Sequence, residues 1–328
     1  MDLGRVKRIR LSQTRPTAYN AAMTDTAQTP AQSRDTLRGI FLMVASMAGF
    51  AIEDMFIKWS AAGMPTGQIL LLLGVFGTPV FAAMARRQGL RTITRQALHP
   101  MVVLRNLGEM LGTAGFVTAL ALIPLSTATA VFQAMPLFVT MGAALFLGEQ
   151  VGWRRWSAIL VGFAGVLLII RPGLSGFQPE VLWSLLAVLG LGIRDLATRR
   201  IPSTISTTQL SAWGFVAVAI LGAGMLALSG GTVVPTGVQS LWLTGALISG
   251  LGAYWALTQA NRLGEVAVIT PFRYSRLVFG LAIGAFVFGE RPDVITLCGA
   301  ALILCAGLYT FAREHARKRA LSITALSR

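Results

Sequence analysis

The sequence predicts an all-α integral membrane protein with ten transmembrane helices, arranged as two inverted five-helix repeats. Three observations carry that expectation. First, the chain repeats itself: LFLGE, ending at Glu149, sits between two apolar runs, and FVFGE, ending at Glu290, has the same layout about 141 residues further along. With one inserted residue, Ala164-Gly165 then falls on Ala306-Gly307, and a self-similar unit of this length is the mark of a duplicated architecture. Second, the 328 residues are 54% hydrophobic and only 12% charged, about half the charged fraction of an ordinary soluble domain. Third, the net charge of +15 is concentrated in short segments between apolar runs, which is the pattern of loops on the cytoplasmic side of a membrane rather than of a nucleic-acid surface.

The elements follow in order. Residues 1–37 carry Arg5, Lys7, Arg8, Arg10 and Arg15 and then a Thr/Gln/Ala-rich stretch. They are expected to be a disordered cytoplasmic tail, and with no apolar core in the first thirty residues no signal peptide is expected. Apolar runs long enough to cross a bilayer then predict helices over 39–61, 66–85, 100–122, 126–147, 153–171, 180–199, 207–229, 240–260, 264–288 and 293–312. The first repeat is 38–173, the second 174–312, and 313–328 is a basic cytoplasmic tail. The connection at Ile123-Pro124-Leu125 leaves room only for a tight turn. With the N-terminus inside, only Lys58, Arg171 and Arg291 fall in outer segments, and Arg105, Arg194, Arg273 and Arg276 fall within helices. Five helices per repeat then force the second repeat to enter from the opposite face, as in many secondary transporters.

The run LSTATA-VFQAM-PLF from Leu125, followed by LFLGE and GWRRW, resembles the EamA module of the drug/metabolite transporter superfamily, and Pro271-Phe272-Arg273-Tyr274 stands where the second module has a similar segment. The resemblance covers residues 38–312. It implies ten helices, cytoplasmic termini and a central cavity that opens alternately to each side. Residues 47–58, MAGFAIEDMFIK, with PTGQ at 65–68, are similar to the bacterial riboflavin transporters of the superfamily, and Ala130–Phe146 is similar to bacterial S-adenosylmethionine carriers. The implied activity is transport of a small organic metabolite across the inner (plasma) membrane: riboflavin uptake on one reading, an S-adenosylmethionine, amino-acid or drug carrier on the other.

Charges inside apolar helices are costly, about 2.5–3.5 kcal/mol each on insertion scales, so they mark the interior of the bundle. Glu53 and Asp54 are adjacent and point about 100° apart, while Asp54 and Lys58 are four apart on one face. This predicts an Asp54–Lys58 pair, with Glu53 left to carry a proton or meet a solute cation. Arg105 and Glu109 are also four apart and are expected to pair. Arg194 and Asp195 close the sixth helix, as a gate or as interfacial anchors. Arg273 and Arg276 share a face of the ninth helix with no acid within a turn, so a ligand or an acid on another helix must meet them. Gln133, three residues before Pro136, sits where a broken helix would free backbone groups. Tyr254, Trp255 and Tyr274 supply flat faces. The substrate-binding set is thus Arg273, Arg276, Tyr274, Gln133, Tyr254 and Trp255, and the coupling or gating set is Glu53, Asp54, Glu109, Arg194 and Asp195. Trp59 and Trp213 are expected in the interface belt, and Gly108, Gly112, Gly115, Gly162 and Gly165 at close helix contacts.

No nucleotide-binding Gly-rich loop, zinc motif or Ser/His/Asp set can be assembled. His99 and His315 both fall at the surface, and Cys298 and Cys305 lie in one apolar run. No cofactor, metal or catalytic role is expected. The expected partners are a small-molecule solute and the lipid bilayer, with a homodimer left open and no nucleic acid. A non-transporting membrane protein or channel is the competing class; a channel would show a ring of one charge sign.

Overall fold

The computed structural model describes residues 30–174, 177–263 and 266–326. The expectation for residues 1–29 lies outside them. All regular structure among the described residues is helical. The helices are α1 (Pro30–Ala61), α2 (Thr66–Arg87), α3 (Pro100–Leu122), α4a (Leu125–Phe132), α4b (Met135–Phe146), α5 (Trp153–Ile170), α6 (Leu182–Thr198), α7 (Thr207–Ser229) and α8 (Gly237–Leu263). They continue with α9a (Val266–Ile269), a 3-10 turn (Thr270–Tyr274), α9b (Ser275–Val287) and α10 (Val294–Leu326).

Among the described residues, eight segments are long and apolar enough to cross a membrane: α1, α2, α4a with α4b, α5, α6, α7, α8 and α10. Two of the ten expected spans fall short of that measure. Arg105, Asn106 and Glu109 make α3 more polar, and α9 is broken into short pieces by its 3-10 turn. The ends also differ from expectation. α1 begins at Pro30, so residues 30–37 belong to a helix, because Pro suits the first helical turn and no breaker follows it. α10 runs on to Leu326 through AREHARKRAL, which has no Gly or Pro and is rich in strong helix formers. The expected 313–328 tail is therefore helical as far as residue 326.

Four helix pairs dominate the packing: α1 with α8, α3 with α6, α2 with α7, and α5 with α10. Exchanging each helix with the one five places along maps this set onto itself, since α1·α8 becomes α6·α3 and the other two pairs are self-related. Two secondary contacts obey the same exchange, α9b packing on α1 and α4b on α6; the contact of α4a with α9b has no equally strong image. Small residues set the spacing. A Cβ on Gly190 would lie 2.2 Å from the Gly112 nitrogen, and one on Gly49 2.9 Å from the Ala253 Cβ. These two contacts are equivalent under the exchange, with Gly49 matching Gly190 and Ala253 matching Gly112. Gly108 and Gly115 are similarly tight against α6, Gly162 against Leu137 and Gly165 against the Gly299 carbonyl.

Both central breaks lie where the repeats meet. α4 turns at Gln133 and Ala134, and Pro136 sits in the first turn of α4b. Its counterpart is the 3-10 turn that opens at Thr270-Pro271. Gln133 Nε2 donates to the Tyr274 carbonyl at 3.3 Å, a contact between residues 141 apart that joins the two breaks on the pseudo-two-fold axis.

Candidate functional site

α1 brings two carboxylates to the middle of the bundle, and they meet different fates. Asp54 is 2% exposed and pairs with Arg276 of α9b. Arg276 Nη2 lies 2.8 Å from both Asp54 oxygens and Nε lies 3.2 Å from Oδ2. The guanidinium is enclosed by aromatic faces, 5.3 Å from the ring centroids of Phe50 and Phe116 and 5.0 Å from that of Phe132. Cation–π attraction is strongest in such a desolvated setting. The expected Asp54–Lys58 pair is not formed. Lys58 Nζ instead donates to the carbonyls of Leu120 and Ile123 at 3.0 and 2.6 Å. The four-residue spacing was favourable, but a fork that can bind both carboxylate oxygens competes better than a single ammonium, and the end of α3 offers Lys58 two unpaired carbonyls.

Glu53 points to α8. Its carboxylate packs so closely on Gly250 that a Cβ there would be 2.4 Å from Oε1. Among the described residues the Glu53 carboxylate makes no hydrogen bond or ion pair. Under the repeat exchange Glu53 matches Arg194, and Gly250 matches Glu109. On that side the contact is filled: Arg194 Nη1 reaches Glu109 at 3.3 Å and Arg194 Nε reaches Asp195 at 2.8 Å. Arg105 Nη2 also binds Glu109, at 2.9 Å, as the sequence predicts. The two halves of the bundle thus present one satisfied four-member network and one bare carboxylate opposite a glycine.

Arg273 is half-buried and lies within electrostatic range of Asp195, Arg194 and Arg276, with no hydrogen bond or ion pair among the described residues. The remaining candidates spread around this line. Gln133 is spent on the Tyr274 carbonyl. Tyr274 is buried, its ring against Gly307 of α10 and its hydroxyl without a partner. The Tyr254 hydroxyl is 2.7 Å from Ser211 Oγ, and its ring is edge-on to Phe81. Trp255 departs from expectation: it is 55% exposed on the outside of α8, because one residue's turn from Tyr254 carries it away from the bundle. Trp213 is likewise not at a surface belt but buried, with Nε1 donating to the Thr92 carbonyl at 2.6 Å. His99 accepts from the Met101 N–H at 3.2 Å and so caps α3.

The repeated Gly-Glu hinges end in unlike contacts. Half-buried Glu290 accepts from the backbone N–H groups of Leu125 and Ser126, at 2.6 and 2.9 Å, which are unpaired donors at the start of α4a. Lys58 lies beside it, over the Phe288 ring at 5.5 Å. The exchange carries Glu290 to Glu149 and Lys58 to Arg199. At that end Glu149 is exposed and bonds Arg199 directly, at 2.8 Å. Sequence reasoning missed the Glu290 cap and the Phe50, Phe116 and Phe132 enclosure. The repeated FVFGE and LFLGE segments were the signal for the first; the second rests on contacts between distant helices, which no spacing reports.

The model of the EamA-like transporter family matches residues 37–171 and again 178–312. The chain belongs to this family. It is 34% identical to a riboflavin transporter of Rhizobium johnstonii over 64% of this chain and 69% of that one. It is 26% identical to an S-adenosylmethionine uptake transporter of Rickettsia felis, over 87% and 95% of the two chains. A pseudopaline exporter of Pseudomonas aeruginosa is 28% identical over 82% and 94%. A solved crystal structure covers 88% of this chain and 99% of its own at 22% identity, with a TM-score of 0.54, and so shares the fold. Family membership and the apolar helices make this chain a multi-pass membrane protein of the drug/metabolite transporter superfamily whose relatives move small molecules.

Proposed function

We propose that this protein is a secondary transporter of the inner (plasma) membrane. It carries a small organic solute by alternating access, with inverted repeats and both termini cytoplasmic. The observation that carries the reading is the pair of unmatched charges beside the Asp54–Arg276 bridge: Glu53 on one side and Arg273 on the other. A solute that bears both a cationic and an anionic group satisfies both at once, and buried charges are retained where they are paired. S-adenosylmethionine, a sulfonium with an amino-acid end, has that chemistry, and the Rickettsia felis relative is named for its uptake. Phe50, Phe116 and Phe132 add apolar faces next to the charges.

The unlike hinges support alternating access. Glu290 caps the start of α4a, while its counterpart Glu149 is exposed and pairs with Arg199, beside a bond from Arg200 to the Phe146 carbonyl. Equivalent residues held differently at the two ends give the asymmetry that an exchange of roles between repeats requires.

A second reading is favoured by the 34% identity to the Rhizobium johnstonii riboflavin transporter, with the aromatic enclosure meeting a flat isoalloxazine ring. Riboflavin carries no charge to match Glu53 or Arg273. Uptake of labelled S-adenosylmethionine and riboflavin by cells expressing the chain separates the two. The expected result is saturable S-adenosylmethionine uptake that falls at least tenfold in Glu53→Gln and in Arg273→Gln, with protein abundance near wild type. Saturable riboflavin uptake that both variants leave unchanged overturns the charged-solute reading and keeps the transporter one.

A further inference from the structure

The Asp54–Arg276 bridge has the form of an occupied cation site. Phe50 stands four residues before Asp54 on α1, hence on the same face; Phe116 comes from α3 and Phe132 closes α4a. Their ring centroids lie 5.3, 5.3 and 5.0 Å from the Arg276 guanidinium carbon, and those of Phe116 and Phe132 are 4.8 Å from each other. Among the described residues the guanidinium donates hydrogen bonds to Asp54 alone, from Nε and Nη2; Nη1 makes none. Three rings from three helices and one carboxylate thus enclose a positive charge whose side chain is 13% exposed. Such aromatic cages suit cations that cannot donate hydrogen bonds, quaternary ammonium groups above all.

Packing alone does not call for the rings. The repeat exchange carries Phe50 to Leu191, Phe116 to Leu257, Phe132 to Arg273 and Asp54 to Asp195. On that side the equivalent helices carry two leucines, and Asp195 takes its cation from its chain neighbour, with Arg194 Nε at 2.8 Å. Arg276 itself falls on Met135. In the half that holds the cage, the chain neighbour of the acid is a second carboxylate. Glu53 lies within electrostatic range of Arg276 and, among the described residues, has no hydrogen bond or ion pair. One arginine therefore faces two adjacent carboxylates and binds one of them.

We propose that Phe50, Phe116, Phe132 and Asp54 form the site for the solute's cationic group, a sulfonium or quaternary ammonium, and that Arg276 occupies this site in the empty carrier. When solute binds, its cation takes the cage and Arg276 passes to Glu53. The empty state leaves Glu53 without a counter-charge; the loaded state gives each carboxylate a cation, which is the condition for keeping charges buried. The cage also selects the kind of cation. Three phenylalanines offer no acceptor, so a primary ammonium would leave N–H donors unpaired, whereas a sulfonium has none to satisfy. This rests on the reading above that the solute carries a cationic group, and adds that the cation neutralises Glu53 through Arg276 rather than by touching it.

The full chain, purified in a neutral detergent, is tested by thermal unfolding with trimethylsulfonium chloride, with sodium chloride at equal ionic strength, and with tert-butanol, a neutral molecule of similar shape. Arg276→Ala vacates the cage. It should unfold below wild type and recover in trimethylsulfonium, as a bound ligand stabilises the folded state, but not in sodium chloride or tert-butanol. Adding Phe116→Leu with Phe132→Leu, which keeps Asp54, should raise the concentration for half recovery about tenfold. Wild type should need more trimethylsulfonium than Arg276→Ala, because the arginine must first be displaced. Glu53→Gln should weaken binding to wild type about tenfold and leave binding to Arg276→Ala unchanged, since Glu53 serves only to receive the arginine. Equal recovery in sodium chloride or tert-butanol would reduce the site to a screened charge or an unfilled cavity and overturn the proposal. A loss in Glu53→Gln with or without Arg276 would make Glu53 the cation's direct ligand; that overturns the displacement and keeps the charged-solute transporter. The probe requires no known solute, so recovery by trimethylsulfonium supports the cage even where S-adenosylmethionine uptake fails. Should Arg276→Ala not be recovered from the membrane, the wild-type chain and its Phe116→Leu, Phe132→Leu variant carry the test, and equal responses of the two to trimethylsulfonium overturn the cage.

Discussion

Arg276 holds Asp54 with both arms of its guanidinium, Nη2 at 2.8 Å from each carboxylate oxygen, across a separation of 222 residues in the chain. The pair ties α9b, directly after the break in the second repeat, to the centre of α1. Besides joining helices, it lies within electrostatic range of both Glu53 and Arg273.

Breaking that bridge from one side leaves a charge enclosed by aromatic rings with nothing to pair it. Asp54→Asn is expected to cost about 3–5 kcal/mol and to lower both the unfolding temperature and the amount of protein in the membrane. Combining it with Arg276→Gln removes both charges and should recover part of the loss. A thermal-unfolding double-mutant cycle measures the coupling; additive losses would mean that the two residues do not act as a pair.

The Glu290 cap supplies charge-assisted bonds to two backbone donors, each worth about 1.5–3 kcal/mol. Glu290→Gln weakens both, and the sealed end should open more often. Thr129, fully buried beneath this seal, is the reporter. A Thr129→Cys protein should react with a membrane-impermeant maleimide about tenfold faster when Glu290→Gln is added, since about 1.4 kcal/mol is a factor of ten. An unchanged rate would remove Glu290 from the gate.

Close contacts between α3 and α6 depend on two facing glycines. Gly190→Ala places its Cβ 2.2 Å from the Gly112 nitrogen, which cannot be relieved by a side-chain rotation. The helices must part, at about 1–3 kcal/mol. Gly224→Ala, with nothing within 4 Å of its Cβ, is expected to be neutral or slightly stabilising, because alanine is the better helix former. Membrane abundance of the two variants compares them directly.

Asp293 lies outside the membrane-spanning segments, and its hydrogen bond from Arg171, helped by Thr296, holds its carboxyl well below the usual carboxylate range. A carboxyl whose folded pKa is depressed contributes stability above the unfolded value, about 3.9, and loses it as pH falls towards the folded one. The difference in unfolding temperature between wild type and Asp293→Asn should therefore be constant from about pH 7 to 5 and shrink below about pH 4. A difference that grows on acidification would contradict the assignment.

Much of this protein was legible in the one-dimensional pattern. Apolar run length reports helices because a bilayer leaves a backbone no other way to satisfy its own polar groups, and the repeated Phe-Leu-Gly-Glu and Phe-Val-Phe-Gly-Glu hinges report the duplication. Arg105 and Glu109 pair as their spacing predicts, since i and i+4 side chains share a face whatever surrounds the helix. The break at Gln133 was announced by Pro136. The same local rule misassigned Asp54 to Lys58, because spacing within a helix is blind to a better partner on another helix. Aromatic character alone put Trp255 beside Tyr254 in the site, though adjacent residues face about 100° apart.

Only the tertiary structure decided which charges are spent and which are free. Glu53 and Arg194 are equivalent in the repeats, yet one faces Gly250 and the other Glu109. Sequence determined that these residues exist, at which depth and in which repeat. Whether each has a counter-charge is a property of helix pairing across more than a hundred residues, set by how closely small residues let α1 approach α8, α3 approach α6 and α5 approach α10.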